Sequence, residues 1–162
     1  GIGARDRIKL GASGMIVTAF DIARAMALGA DWCNAARGYM FAIGCIQSQA
    51  CHTDKCPTGV ATQDPTRQRA LVVGDKADRV LGFHDMTTKA LAEFVAAAGL
   101  DHPDQFRPHH FSRRVAPDKV MSLAEIYPPL PPGDLLKGTR DVRFRDAWDM
   151  ADPHSFRPRT AA

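Results

Sequence analysis

The sequence predicts an α/β fold built on parallel strands, and three observations predict it. Strand-like and helix-like runs alternate from Arg7 to Gly44 in the order strand, helix, strand, helix, at the tight spacing of parallel α/β architecture. The first helical run carries its own start and stop residues. At 45% hydrophobic and 24% charged, the 162 residues can bury a core.

Residues Arg7 to Ala12 read as a short strand running into Ser13 and Gly14. Thr18 to Leu28 reads as a helix with Phe20, Ile22, Ala23, Met26 and Ala27 on one broad apolar face. Thr18 is its candidate N-cap, Asp21 puts negative charge in the first turn, and Gly29 stands where a C′ glycine belongs. Ala30 to Ala35 reads as a second strand, and Gly38 to Gly44 as a short apolar helix or turn. A cysteine-bearing segment follows, closed by Pro57 and Gly59, and then a polar stretch from Thr62 to Arg69. Asp75 to Ala98 has helical periodicity, with Val80, Leu81, Phe83, Leu91, Phe94 and Val95 as buried candidates and Gly99 as its stop. Asp104 to Tyr127 reads as two or three short helices broken by Pro108 and Pro117. Beyond it Pro128, Pro129, Pro131 and Pro132 crowd together, and the charged tail from Gly133 reads as an extended arm. The expected organisation is therefore three stretches, 1–74, 75–127 and 128–162, with no internal repeat.

The formal net charge of +3 is a weak surplus, spread along the chain. A nucleic-acid site would want a basic face or interleaved aromatics, and neither stands out, so no nucleic-acid partner is expected. No apolar run is long enough to span a bilayer, and the start lacks the layout of a signal peptide, so no membrane association is expected. Three of the four cysteines fall within twelve residues, unlike a disulfide frame, which suits a reducing cytoplasm. The chain opens on Gly, almost directly into a strand, and reads as a piece of a longer protein.

The strongest chemical signal is the run from Gly44 through Cys45, Cys51 and Cys56 to Pro57. Three thiols at this spacing can converge if the backbone curls around them, and iron–sulfur clusters are held by cysteine thiolates. Three thiolates match a 3Fe–4S cluster, or a 4Fe–4S cluster with one open iron. A zinc site using the same cysteines with His52 is a rival, because Cys₃His is a known set. Three buried thiols acting as small hydrophobes is the plainest alternative, against which the polar flanks count. The second signal is phosphate-binding potential. Ala12-Ser13-Gly14 follows the first strand and Ala36-Arg37-Gly38 the second, where backbone N–H groups can meet an anion and Arg37 can add charge. Cys33 reads as a core thiol, Trp32 as packing, and His109 and His110 as surface.

These signals occur in the order found in the glutamate synthase family, which this chain resembles. The resemblance lies in Asp21 to Ala30 (DIARAMALGA), in Arg37 to Cys45 (RGYMFAIGC) and above all in Cys51 to Asp64 (CHTDKCPTGVATQD). The helices through Tyr127 resemble a shorter, stand-alone branch of FMN-binding glutamate synthase family proteins. The resemblance implies that residues 7–64 are the end of a flavin-binding (β/α)₈ TIM barrel, about its last two β/α units, followed by a helical extension. It implies that Cys45, Cys51 and Cys56 ligate a 3Fe–4S cluster, and that Ser13, Gly14, Ala36, Arg37 and Gly38 hold the FMN phosphate. The large-subunit pattern has glycines where this chain has Ser13 and Ala36, and a neutral residue at Arg37. The implied reaction makes glutamate from 2-oxoglutarate and glutamine-derived ammonia, with electrons from a reductase subunit or ferredoxin. A (β/α)₈ barrel needs about 250 residues, so the catalytic and substrate-binding residues are expected upstream. Two other readings are an N-methylglutamate synthase subunit and a stand-alone metal-binding interaction module.

Overall fold

The computed structural model describes residues 1–157 and Arg159. They belong to two compact units, one running from Leu10 to Glu125, the other joining Gly1–Lys9 to the residues from Ile126 onward.

The larger unit begins with the predicted alternation. Strands β1 (Gly11–Ser13) and β2 (Trp32–Asn34) pair in parallel, Gly11 against Trp32 and Ser13 against Asn34. Helix α1 (Ala19–Ala27) connects them, and α2 (Ala36–Ala42) follows. Gly11 is a steric requirement, because a Cβ there would stand 2.6 Å from the indole of Trp32.

Several helix ends have an identifiable cause. Thr18 caps α1 in a capping box, accepting from the Asp21 N–H at 3.2 Å while the Asp21 carboxylate accepts from the Thr18 N–H at 3.0 Å. At its far end Gly29 takes φ +110, and its N–H donates to Met26 while that of Ala30 donates to Ala25, the Schellman pattern. Gly44 ends α2 in the same way, and so does Gly99 for the long helix α4 (Val73–Ala97). A single turn, α3 (Pro65–Gln68), lies between, capped by Asp64 with Pro65 at its first position.

Helix α4 packs on both α1 and α2. Its inner stripe includes Val80, Phe83, Leu91 and the buried Val95, at helical spacing. Leu81, expected inside, is 59% exposed, because it falls a quarter-turn off that stripe. The face of α1 that is buried is Ala19, Ala23 and Ala27, one turn apart each time, so small residues allow close approach. Phe20 is partly exposed yet meets Phe94 and Phe111 edge to face, and Phe111 meets the fully buried Phe106.

After α4 the structure departs from the expected run of short helices. Pro103 and Pro108 each open a 3₁₀ turn. Then β3 (Ser112–Ala116) and β4 (Lys119–Ser122) form an antiparallel hairpin turning at Pro117 and Asp118. Pro117 thus sits in a turn, where its fixed φ helps rather than breaks a helix. A four-residue helix, α5 (Leu123–Ile126), follows.

In the smaller unit the tail from Gly133, expected as an extended arm, holds a 3₁₀ turn at Asp134–Lys137 and helix α6 at Val142–Met150. Asp141 caps α6 through the Arg143 N–H at 3.0 Å and also pairs with the Arg143 guanidinium. The local cap, and not burial, explains this helix, since every residue of α6 is exposed.

Candidate functional site

The carboxyl ends of the two parallel strands open into a cleft of about 410 Å³, within the usual size of a small-molecule site. Ser13 and Gly14 line it from the end of β1, Asn34 from β2, and Ala36 and Arg37 from the first turn of α2. Met15, Ile16, Met40 and Phe41 supply apolar walls, and Cys45, Gln47, Gln49 and Cys51 close the remaining side. Ligands of parallel α/β sheets bind at such strand ends.

Local geometry explains how each group arrives. Gly14 takes φ +90, and the space its Cβ would fill is open. Met15 follows with φ 56, a left-handed residue that is not glycine. No side chain caps α2, whereas Thr18 caps α1. Gly38 has a different task from its neighbours. It is buried, it does not line the cleft, and a Cβ there would stand 2.8 Å from the Phe83 ring. Its missing side chain lets α2 seat on α4.

The cysteine loop starts from the Schellman end of α2. The Cys45 N–H donates to Met40 at 2.9 Å, which fixes the direction in which the chain leaves. Gln47 and Gln49 both adopt positive φ, so the backbone reverses twice before Cys51. Such left-handed positions cluster at functional sites and build concavities that hold anions and iron–sulfur groups. Cys51 opens a 3₁₀ turn that ends at Asp54, again left-handed at φ 63.

Asp54 ties the loop to the segment after it. Its carboxylate accepts from the Gln63 N–H, and its carbonyl accepts from the Thr62 hydroxyl at 2.6 Å. Thr62 is buried, accepts from the Asp64 N–H, and receives the Gln68 amide on its carbonyl at 2.8 Å. Gly59 is buried at φ +77, where a Cβ would lie 2.3 Å from the Arg67 carbonyl oxygen. The run Thr58-Gly59-Val60-Ala61-Thr62-Gln63 therefore makes a rigid wrap around Cys56.

Cys56 is 6% exposed. The Thr58 hydroxyl lies 3.5 Å from its sulfur. That hydroxyl, with the N–H groups of Ala61, Thr58 and Val60, outweighs burial and lowers the thiol from 9.0 to about 7. Donors arranged in this way serve a charged sulfur, the form that ligates metal. By contrast Cys33 is pushed up by burial, with its sulfur 4.0 Å from the Ile22 carbonyl oxygen, as suits a packing thiol.

The structure brings Ser13, Gly14, Ala36, Arg37, Cys45 and Cys51 to one cleft, and leaves Gly38 and Cys56 outside its lining. The three motif sulfurs do not converge. Among the described residues no three His, Cys, Asp or Glu side chains stand close enough to hold a metal ion. His52 is exposed, and among the described residues no such group takes it in either. Asn34, Met40 and Phe41 are lining residues that sequence reasoning missed. Their signal was position, Asn34 ending a strand and the other two one turn along the helix that starts there.

Residues 1–101 match the family described as the conserved region in glutamate synthase. The chain belongs to the glutamate synthase family. It is 42% identical over 124 residues to the glutamate synthase large subunit-like protein YerD of Bacillus subtilis, covering 76% of this chain and 24% of that protein. It is 34% identical over 103 residues to the glutamate synthase [NADPH] large chain of the same organism, covering 64% of this chain and 7% of the other. A third relative is the archaeal glutamate synthase [NADPH] of Methanocaldococcus jannaschii, 34% identical over 105 residues, or 65% of this chain and 21% of that one. The chain thus spans a quarter or less of the length of these family members. No solved structure matches it. Among the described residues no helix is long and apolar enough to cross a membrane.

Proposed function

We propose that this chain is the C-terminal part of the FMN-binding (β/α)₈ domain of a glutamate synthase-type oxidoreductase, carrying the flavin phosphate contacts and the ligands of a 3Fe–4S cluster. One observation carries the reading: the ends of two parallel strands and two of the three motif thiols line a single cleft. Two cofactors that exchange electrons must lie close together, and one cleft lined by Ser13, Gly14, Ala36 and Arg37 together with Cys45 and Cys51 supports that reading.

The residue types suit both groups. For the phosphate, Ser13 and Gly14 offer backbone at a strand end with open space beside it, and Ala36 and Arg37 offer an uncapped helix start with a guanidinium. Gly38 supports them by seating α2 on Phe83. For the cluster, Cys45, Cys51 and Cys56 would supply three sulfurs, that of Cys56 lowered to about 7 chiefly by the Thr58 hydroxyl. The loop between Cys45 and Cys51 is exposed and left-handed at two positions, so metal binding would draw the sulfurs together and order it.

When bound, FMN would supply hydride to the imine formed from 2-oxoglutarate and glutamine-derived ammonia, and the cluster would supply a one-electron relay from a reductase subunit or ferredoxin. Arg37 would neutralise phosphate charge, and Ile16, Met40 and Phe41 would keep water from the cleft. The other β/α units, with the isoalloxazine and 2-oxoglutarate sites, belong in this reading to a longer protein working in the cytoplasm, where thiols stay reduced.

The test is metal content. The longer protein carrying this chain, purified anaerobically, should contain iron and acid-labile sulfide in roughly 3:4 proportion, and Cys51→Ser should abolish both. A colourless preparation holding zinc would overturn the assignment.

A further inference from the structure

Among the described residues four that are not glycine have left-handed backbone, and three of them, Met15, Gln47 and Gln49, line the cleft. The fourth, Asp54, is held by the bonds that its carboxylate and carbonyl accept. Left-handed backbone is costly for a residue with a Cβ, and such cost gathers at ligand clamps and other functional sites. Gln47 and Gln49 stand in the loop between Cys45 and Cys51, whereas Met15 stands two residues past the end of β1.

Nothing within the larger unit accounts for the conformation of Met15. Its φ of 56 follows Gly14 at φ 90, so two left-handed residues stand in succession. A glycine would adopt the second position as freely as the first. Among the described residues no hydrogen bond holds Met15. Its side chain is 84% exposed, and of the large apolar residues described only Phe156 is more so. Packing therefore does not hold it either. Yet the side chain lines the cleft beside Ser13 and Gly14, with Ile16, Met40 and Phe41 as the other apolar walls. Methionine suits such a place, because its unbranched thioether adapts to a surface laid on it and gains from aromatic contact.

We propose that Met15 is a ligand-contact residue of the cleft, its side chain covering the organic body of a ligand whose phosphate lies at Ser13, Gly14, Ala36 and Arg37. The inference deepens the flavin reading above and rests on it, but on no contact with the cysteines. Met15 is this chain's own apolar contact, beside those that the other β/α units would make. Covering the exposed thioether offsets the strain of its backbone, so the cost falls on the empty cleft and the gain on the filled one.

The experiment measures FMN affinity by quenching of flavin fluorescence, and melting without FMN, for the longer protein and its Met15→Leu, Met15→Ala and Met15→Gly variants. Alanine and glycine remove the cover, and each should bind FMN about tenfold more weakly, the order expected for that much apolar side chain. Leucine keeps the bulk and should stay within about threefold of wild type. Without FMN neither alanine nor glycine should melt below wild type, because the lost side chain packs on nothing and glycine takes left-handed backbone freely. Alanine and glycine variants that bind FMN as tightly as wild type would overturn the proposal. So would a loss confined to glycine, which would point to backbone freedom, or a leucine variant as weak as alanine. Lower melting of the alanine and glycine variants without FMN would also overturn it, since protein and not ligand would then cover Met15. Wild-type protein that binds no FMN would instead bring down the flavin reading, and this inference with it.

Discussion

Glycines separate the roles of individual residues in this chain, because the reason for each can be read from what a Cβ would meet. At Gly59 the added atom meets backbone, the Arg67 carbonyl oxygen at 2.3 Å, and φ is +77 as well. Backbone cannot step aside as a side chain can. Gly59→Ala should therefore destabilise the wrap around Cys56 by about 2–4 kcal/mol, the sum of left-handed strain and a clash. Gly14→Ala meets open space at φ +90, so it should cost about 1 kcal/mol from backbone strain alone. Urea denaturation of the two variants checks the order, and equal losses would contradict it. Gly38 is intermediate in kind, since the Phe83 ring it faces can shift. The same residue shows what a sequence hides: the ring that a Cβ at position 38 would meet, Phe83, lies far along the chain on α4. The thiols divide similarly. Spacing singled out Cys45, Cys51 and Cys56 together, yet the fold buries Cys56 and leaves Cys51 exposed. That difference comes from the residues after Cys56, whose N–H groups no spacing rule counts.

Elements were legible where their signals were local. Thr18, Asp21 and Gly29 bound α1 as their residue types require, and Gly99 stops α4. The hairpin is not legible in the sequence, because two short exposed strands lack apolar alternation and Pro117 reads equally as a helix breaker. Helix α6 was obscured by a charged composition that the Asp141 cap overrides. The capping box of α1 also gives a pH dependence. Partial burial acts to raise the Asp21 carboxyl, but hydrogen bonds from Thr18 and Val17, with the Arg24 charge, outweigh it and hold the group below its ordinary value. A depressed carboxylate stabilises the fold above its unfolded value, about pH 4, and that stabilisation is lost as pH falls through the folded value. Thr18→Ala should cost about 1 kcal/mol near neutrality. Asp21→Asn should cost stability at pH 7 and lose that deficit progressively below about pH 4. Thermal melts across pH measure both, and a deficit that grows in acid would refute the sign.

At the scale of the whole molecule, the larger unit has an asymmetry that its composition does not reveal. One face of the β1–β2 pair is served by α1 and, through it, by α4. The sheet itself has only two strands among the described residues, so each strand has one side without a strand partner. Leu10, just before β1, and Trp32 on β2 are both nearly half exposed. Two-stranded sheets are marginal by themselves, and open strand edges template pairing with other chains. The alternation of elements was visible in the sequence, but the number of strands a sheet needs is set by what closes it, and no pattern inside two strands encodes that. The 162-residue chain, produced alone, should therefore self-associate as concentration rises. The Trp32 N–H donates to the Leu10 carbonyl, so Leu10 and Ala12 face β2 and Ser13 faces the open side. Edge pairing predicts that Ser13→Pro, which removes a donor from that open side, reduces association. Light scattering over a concentration series, with and without that substitution, makes the comparison. A wild-type chain that stays monomeric throughout and melts in one cooperative step would remove the edges as the cause, and would mean that the α1 and α4 packing alone sustains the unit.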